Sequence, residues 1–100
     1  MPTIKEEIKK SEKGIIVDIG TGDGKFVYEL AKEHPSRFII GIDLSKENVR
    51  ELSAKIYKKP SRGGLKNALF VLASAFDLPS ELNNFVNQVF INFPWGRLSA

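Results

Sequence analysis

Residues 16–25 combine an apolar run, an acid and three alternating glycines, and this combination most narrows the folds open to the chain. The segment reads Ile16-Val17-Asp18-Ile19-Gly20-Thr21-Gly22-Asp23-Gly24-Lys25. An apolar stretch followed by glycines and then by an amphipathic segment predicts a buried strand, a tight loop and the start of a helix. Because glycine has no Cβ, such a loop turns sharply and lets a ligand approach its backbone.

A second acid ends the next apolar run. Asp43 follows residues 38–42 and lies 19 residues after Gly24. An acid at about this distance, at the end of the second strand of a βαβ unit, is placed to accept hydrogen bonds from a pair of ribose hydroxyls. The glycine loop and this acid together predict a nucleoside cofactor.

The spacing and charge of the loop indicate which cofactor. Dinucleotide-binding proteins use G-x-G-x-x-G and hold pyrophosphate at the helix N-terminus, whereas this loop reads D-x-G-x-G-x-G with Asp23 beside the predicted helix start. A carboxylate repels pyrophosphate but pairs with an ammonium group, and S-adenosylmethionine (SAM) carries an ammonium, a sulfonium and no phosphate. The pattern resembles the first motif of class I SAM-dependent methyltransferases. A NAD-type site and a glycine loop without a ligand are the alternatives.

The composition is that of one ordinary globular domain. The 100 residues are 42% hydrophobic and 27% charged, so we expect a single SAM-binding domain over residues 1–100. No apolar run approaches the ~20 residues that span a bilayer, and the first residues lack the apolar region of a signal peptide. The sequence has no cysteine and one histidine, His34, which we expect at a surface helix end. We therefore expect a cytoplasmic protein without a structural metal.

Positive charge is concentrated in one stretch of the chain. Residues 52–76 contain no acid and five cations, namely Lys55, Lys58, Lys59, Arg62 and Lys66. A local basic cluster is typical of phosphate contact, although cations at a solvated helix end also interact favourably with the helix dipole. Beside a methyltransferase-like motif, the cluster favours a nucleic-acid partner.

Apolar and amphipathic segments alternate along the chain and predict an α/β fold. The predicted strands are Ile15–Ile19, residues 38–42, Ala68–Leu72 and residues 88–92. The predicted helices cover residues 3–12, residues 23–32, a segment capped by Ser45 and a short segment capped by Ser80. Residues 59–64 are predicted as a loop because of their Pro and Gly content. This order predicts right-handed βαβ units around a parallel sheet.

A second motif, Ile91-Asn92-Phe93-Pro94-Trp95-Gly96, ends the fourth predicted strand. Ligands of open α/β sheets bind at the carboxyl ends of the strands, so this motif is expected to face the same crevice as the glycine loop. Trp95 is the only tryptophan and lies in a Pro/Gly loop. It either packs over the sheet edge or offers a platform for a flipped base, and its position favours the platform.

Four motifs in order resemble the aminoglycoside-resistance 16S rRNA (adenine-N1)-methyltransferases. They are residues 18–24, residues 41–43 with Lys46-Glu47-Asn48, Lys58-Lys59-Pro60-Ser61-Arg62-Gly63-Gly64-Leu65, and Phe93-Pro94-Trp95-Gly96. The last two runs are specific to that family, whereas all class I methyltransferases share the glycine-rich motif. The resemblance implies transfer of a methyl group from SAM to N1 of a decoding-site adenine in the 16S rRNA of the 30S subunit, with aminoglycoside resistance as the result.

The resemblance also implies which residues bind the cofactor. Asp23 would bind the methionine ammonium, Asp43 would hold the ribose hydroxyls, and Ser74 and Ala75 would lie beside the adenine ring of SAM. Phe76 stands where the family often has an acid, and Asp77 is a candidate substitute. The full implied cofactor set is Asp18, Gly20, Thr21, Gly22, Asp23, Gly24, Asp43, Leu44, Ser74, Ala75 and Phe76.

The remaining implied roles concern the RNA. Phe93 and Pro94 would shape the target pocket, and Trp95 would stack on the flipped adenine. Four cations would dock on rRNA phosphates, namely Lys55, Lys58, Lys59 and Arg62.

The class I fold normally has seven strands, and this sequence ends at Ala100, just after the fourth. The resemblance therefore implies a Rossmann-like sheet of about four parallel strands in the order 3-2-1-4, with flanking helices and strand four at an edge. An exposed apolar edge strand promotes association. We therefore expect a fragment, a truncated gene product or half of an assembly, with self-association through strand four as one possibility.

Three other functions stay open at this point. Asn92-Phe93-Pro94-Trp95 resembles the N-P-P-aromatic motif of methyltransferases that act on exocyclic amines such as N6 of adenine, in which the Asn side chain engages the amine. A tRNA methyltransferase is a more distant variant. A non-catalytic SAM-binding or RNA-binding module belongs to a different functional class.

Overall fold

The computed structural model describes residues 14–74, 86–93 and 96–99. Strands and helices alternate in the order β1 (Ile15–Ile19), α1 (Lys25–Glu33), β2 (Phe38–Asp43), α2 (Lys46–Ile56), β3 (Ala68–Leu72), β4 (Val86–Phe93) and β5 (Gly96–Ser99). A short 3-10 helix, Pro60–Arg62, lies between α2 and β3, in the segment predicted as a loop. The predicted helices over residues 3–12 and after Ser80 lie outside the described residues.

All five strands form one sheet, ordered β3-β2-β1-β4-β5. Strands β1 to β4 are parallel to one another, which confirms the predicted order 3-2-1-4. The prediction that strand four is an edge is wrong, because β5 runs antiparallel beside it from the pair Phe93↔Gly96 onward. A four-residue strand is too short for its periodicity to be recognised in the sequence. β5 therefore covers residues 90–93 of the β4 edge, and self-association stays a prediction.

Both faces of the sheet are buried, as a parallel sheet requires. Helices α1 and α2 pack on one face, where Val27, Ala31, Leu52 and Ile56 join a cluster with sheet residues such as Phe70. Strand residues of the opposite face are equally buried, and Ile15, Val17, Ile40 and Ile42 are at most 1% exposed. Burial on both faces accounts for the nearly continuous apolar strands in the sequence.

The two helices begin in different ways. Ser45 caps α2 as predicted, because its Oγ accepts a hydrogen bond of 3.2 Å from the Asn48 N–H. Helix α1 begins at Lys25, two residues later than predicted, and the preceding Gly24 has a positive φ of 76°. The Asp23 carboxylate lies just outside this helix and accepts a hydrogen bond from the Lys25 N–H at 2.9 Å.

Asn67 joins the end of α1 to the start of β3. Its half-buried side-chain amide lies within hydrogen-bond distance of three carbonyl oxygens, at 2.9 Å from Ala31, 3.1 Å from Arg37 and 3.2 Å from His34. The backbone carbonyl of Asn67 accepts a hydrogen bond from the Ile39 N–H of β2. The carbonyls at the end of α1, which the helix cannot satisfy itself, therefore find a partner more than 30 residues away.

We predict that replacing Asn67 destabilises the fold. Asn67→Ala removes the donor from part-buried carbonyls and is expected to lower the free energy of unfolding by about 1–3 kcal/mol. Asn67→Asp is expected to cost more, because a carboxylate then faces three carbonyl oxygens. Urea unfolding of both variants measures the loss, with Lys66→Ala at the adjacent exposed position as the control. Unchanged stability in Asn67→Asp would contradict this role.

Candidate functional site

The candidate site lies at the edge of the sheet where β1 to β4 end. Parallel strands place their carboxyl ends at the same edge, and the strand order reverses between β1 and β4. Such a reversal is where ligands of open α/β sheets bind. The loop of residues 20–24 follows β1 at this point, and Asp43 ends the neighbouring β2.

Backbone hydrogen bonds fix the glycine loop against β2. The N–H groups of Gly20 and Thr21 both donate to the carbonyl oxygen of Ile42, at 2.8 and 2.9 Å. Gly24 has a positive φ, and a Cβ on it would lie 2.8 Å from Cδ2 of Leu52, so only glycine fits there. Gly22, by contrast, is exposed, and a Cβ on it would meet nothing within 4 Å. The loop therefore presents its backbone to open space.

Asp43 is the centre of a small polar network. Its Oδ2 accepts a hydrogen bond from the Gly22 N–H at 3.1 Å, and its Oδ1 accepts one from the Ser45 N–H at 2.9 Å. The side-chain amide of Asn48 donates to the Gly22 carbonyl and lies 3.4 Å from Asp43 Oδ2. A carboxylate offers about four acceptor positions, so one stays available for a ligand hydroxyl.

Three further polar residues of the predicted cofactor set, Asp18, Thr21 and Asp23, divide into two groups. Asp18 and Thr21 are fully buried at 0% exposure, so their side chains lie beneath the loop. Thr21 Oγ1 has no hydrogen-bond partner within the described residues. Asp23 is exposed beside the start of α1. A cationic group at the loop would therefore meet the carboxylate of Asp23 rather than that of Asp18.

Two large apolar side chains stand in solvent near Asp43. Leu44 is 75% exposed and Leu72 is 49% exposed. Leu72 is the register partner of Asp43, and the Ala73 N–H donates to the Asp43 carbonyl at 3.1 Å. Leu44 was predicted to bind the cofactor, whereas Leu72 was not, because a leucine at the end of an apolar strand is typical of the core. Its place as the last strand residue at the ligand-binding edge is the signal that could have identified it.

The structure describes one residue of the predicted adenine site. Ser74 is half-buried just beyond β3. Ala75 and Phe76 lie outside the described residues, as does Asp77.

Asn92 connects β4 to the glycine loop. Its side-chain amide donates a hydrogen bond of 3.0 Å to the Gly20 carbonyl, across 72 residues of sequence. A Cβ on Gly20 would lie 3.5 Å from the Asn92 carbonyl oxygen, so the two backbones run close together. Phe93 ends β4 at this edge, and Pro94 and Trp95 lie outside the described residues. The sequence motif placed Asn92 at the acceptor side without indicating its contact with the loop.

The basic segment forms a tight turn after α2. The Lys59 carbonyl accepts hydrogen bonds from the N–H groups of Arg62 and Gly64, at 2.8 and 3.1 Å. A Cβ on Gly64 would collide with the carbonyl of Lys58, so this turn cannot form with another residue there. The Lys-Lys-Pro-Ser-Arg-Gly-Gly run therefore specifies the shape of the turn as well as its charge.

The five cations of this segment are exposed and, within the described residues, form no ion pair. Helix α2 begins at the cofactor edge of the sheet and is 11 residues long. At 1.5 Å per residue it carries the chain about 16 Å back toward the amino ends of the strands. The basic turn and the crevice are thus separate surfaces joined by one helix, with Lys55 in the last turn of that helix.

The described part of the chain offers neither a cluster of metal ligands nor a helix that could span a membrane. Within these ranges, the acidic residues and the histidine form no group of three or more that could hold a metal ion. No helix within the same ranges has the length and apolarity to cross a bilayer.

Comparison with known proteins agrees with this geometry. The model of the family described as NpmA, 16S rRNA (adenine(1408)-N(1))-methyltransferase, matches residues 3–99. The 16S rRNA (adenine(1408)-N(1))-methyltransferase of Escherichia coli is 52% identical over 82 residues, which are 82% of this chain and 37% of that protein. The motif-based resemblance is therefore confirmed over almost the whole chain.

Solved structures share the fold. The aminoglycoside resistance methyltransferase NpmB1 matches with a TM-score of 0.81 and 47% identity, over 93% of this chain and 45% of that one. A mutant 16S rRNA (adenine(1408)-N(1))-methyltransferase from Catenulisporales acidiphilia, solved with cosubstrate SAM, matches with a TM-score of 0.79 and 29% identity, over 96% of this chain and 48% of that one. The chain spans less than half of each of these three relatives.

The family model covers nearly all of the sequence, and the sheet is that of a class I methyltransferase. This chain therefore belongs to the NpmA family of 16S rRNA (adenine(1408)-N(1))-methyltransferases.

Proposed function

We propose that the chain provides the cofactor site and part of the RNA-docking surface of an enzyme that methylates N1 of a decoding-site adenine in 16S rRNA. The carboxylate of Asp43, held against the exposed backbone of Gly22, is the observation that carries this proposal. This hydrogen bond joins Asp43, the acid predicted to bind the ribose, to the glycine loop, which is predicted to bind the rest of the cofactor. Aminoglycoside resistance is the expected outcome, and the cytoplasm, where ribosomes work, is the expected location.

The described residues fit SAM at three points. Asp43 keeps an acceptor for a ribose hydroxyl, and Asp23 offers an exposed carboxylate to the ammonium group. Leu44 and Leu72 present apolar surface on which an adenine ring can pack. The open space over Gly22 leaves room for the part of the cofactor between the ribose and the ammonium.

The reaction requires little from the protein beyond alignment. When bound, SAM supplies a methyl group already activated by its sulfonium, and N1 of adenine carries a free lone pair at neutral pH. No general base is therefore needed, and the residues of the crevice act mainly by proximity and orientation. Phe93 ends β4, and we expect it to hold the flipped adenine together with Pro94 and Trp95, which come next in the sequence.

The basic turn supplies a second contact with the RNA. Lys58, Lys59 and Arg62 are exposed on a turn of defined shape, and Lys55 lies one helical turn earlier. This surface is separated from the crevice by about the 16 Å length of α2. An RNA that contacts both surfaces must extend over at least this distance, as 16S rRNA in the 30S subunit does.

The alternative of methylation at an exocyclic amine has less support. In that chemistry the Asn of the N-P-P-aromatic motif engages the target amine, whereas the amide of Asn92 donates to the Gly20 carbonyl. Phe93 also replaces the first proline of that motif. Analysis of the methylated nucleoside, as N1- or N6-methyladenine, separates the two reactions.

We predict that the purified chain binds SAM and that Asp43→Ala weakens this binding by about 10- to 150-fold, as expected for loss of one charge-assisted hydrogen bond. Calorimetry gives the affinity. Glu51→Ala, which removes an exposed acid from α2, is the matched control and is expected to bind normally. Binding of NAD in place of SAM, or equal affinity of the Asp43→Ala variant, would contradict the proposed site.

We predict that changing Lys58 and Lys59 to Glu weakens binding to 30S subunits and lowers the slope of log K against log salt by about 1.4 to 1.8, because two phosphate contacts are lost. The control variant carries Lys32→Glu and Arg50→Glu, which change the net charge equally at other exposed positions. The same loss in both variants would indicate a general charge effect and would argue against a docking surface at the turn.

We predict that Trp95→Ala lowers methyl transfer by about 5- to 150-fold, the range expected for loss of one base-stacking contact. SAM affinity is expected to stay the same, since the stacking partner is the target base. Trp95→Phe keeps an aromatic face and is expected to restore part of the activity. A parallel loss of SAM affinity in Trp95→Ala would refute the stacking role.

A further inference from the structure

Two asparagine side chains hold the glycine loop from opposite sides. Asn48, on α2, donates to the carbonyl of Gly22. Asn92, at the end of β4, donates to the carbonyl of Gly20 at 3.0 Å. The first contact lies on the side of the loop where Asp43 sits, and the second lies on the side from which the Phe93-Pro94-Trp95 segment continues.

The contact of Asn92 extends the pairing of β1 with β4. The backbone register between these strands ends at Ile19↔Ile91. Gly20 and Asn92 are the residues that follow this last pair. They are joined by the side-chain amide of Asn92, which donates to the Gly20 carbonyl instead of a backbone N–H. A Cβ on Gly20 would lie 3.5 and 3.6 Å from atoms of Asn92, which is ordinary contact, so the two residues pack side by side, and the positive φ of 74° is what favours glycine there.

The other side of Asn92 is also engaged. Asn92 pairs with Arg97 of β5, and Phe93 pairs with Gly96. The residue thus sits where β1, β4 and β5 meet the crevice. A shift of the end of β4 relative to the loop would therefore change the distance between a ligand bound at the loop and a ligand bound at the end of β4.

We propose that Asn92 is a positioning residue that keeps the acceptor-side end of β4 aligned with the cofactor loop. This inference rests on the proposed function, because it assigns the two sides of the crevice to cofactor and target base. Methyl transfer needs its reacting atoms about 3–3.5 Å apart, and a misplacement of 1 Å can lower the rate about 100-fold. One directional hydrogen bond at this junction restrains that distance.

The side-chain chemistry gives a sharp pair of variants. Asn92→Asp has the same shape but replaces the N–H donor by a carboxylate oxygen that repels the Gly20 carbonyl. Asn92→Leu removes the donor without adding charge. Asn92 is exposed, so neither change creates a cavity, and both variants are expected to fold. Asn48→Asp is the comparison on the cofactor side, because it removes the donor to Gly22 and places a charge beside Asp43.

The test measures SAM affinity by calorimetry and methyl transfer to 30S subunits by the full-length protein. Asn92→Asp and Asn92→Leu are expected to lower kcat at least tenfold, with the SAM Kd and the KM for 30S subunits within threefold of wild type. Asn48→Asp is expected to raise the SAM Kd at least tenfold. A general loss of stability would lower the folded fraction and with it the calorimetric stoichiometry of SAM binding, whereas the proposed role leaves that stoichiometry at the wild-type value.

Two results of this assay would overturn the proposal. One is a kcat within twofold of wild type in both Asn92 variants, and the other is a rise in SAM Kd that accounts for the whole loss of activity. If the wild-type protein binds SAM but methylates no 30S subunit, the proposed function fails instead. In that case, hydrogen exchange of the Asn92 side-chain amide in the cofactor-free protein tests whether Asn92 donates to the Gly20 carbonyl. Protection supports it, and exchange as fast as in an unstructured peptide overturns it.

Discussion

The hydrogen bonds of Asp43 to two backbone N–H groups are the interaction on which the rest of the site depends. They join Gly22 of the loop after β1 to Ser45 at the start of α2 through the last residue of β2. Asn48 completes the network by holding the Gly22 carbonyl. One carboxylate thereby sets the shape of the loop, the entry into α2 and the position of the acceptor offered to a ribose. A residue predicted as a ligand contact is therefore also a structural element of the site that contains it.

The same arrangement places two separate surfaces, the crevice and the basic turn, at opposite ends of one small sheet. Ser45 begins α2 at the cofactor edge, and the helix returns to the opposite edge, where the Lys59 and Gly64 backbones close the basic turn. The length of the helix sets the distance between the crevice and the basic surface. Because the turn depends on a glycine that must approach the Lys58 carbonyl closely, its charges are presented in a defined geometry. Such a surface favours recognition of a folded RNA by shape.

Several elements were predictable because their signals are local. The apolar runs gave the cores of β1 to β4, Ser45 indicated the start of α2, and the glycine loop and Asp43 indicated the edge of the sheet at which they meet. Other features depend on residues far apart in the chain. The three carbonyls near the Asn67 amide and the exposure of Leu72 arise from contacts that no short window of sequence contains.

The sequence by itself determined the fold class, the family and the residue types of the site, because hydrophobic period, glycine spacing and charge are properties of neighbouring residues. Only the tertiary structure decided which of these residues meet. It turned Asp43 toward Gly22, buried Asp18 and Thr21 beneath the loop, left Leu44 and Leu72 in solvent, and brought Asn92 to the Gly20 carbonyl. The physical reason is that parallel strands align the ends of distant segments at one edge, so a side chain and a backbone carbonyl separated by 72 residues can share a hydrogen bond.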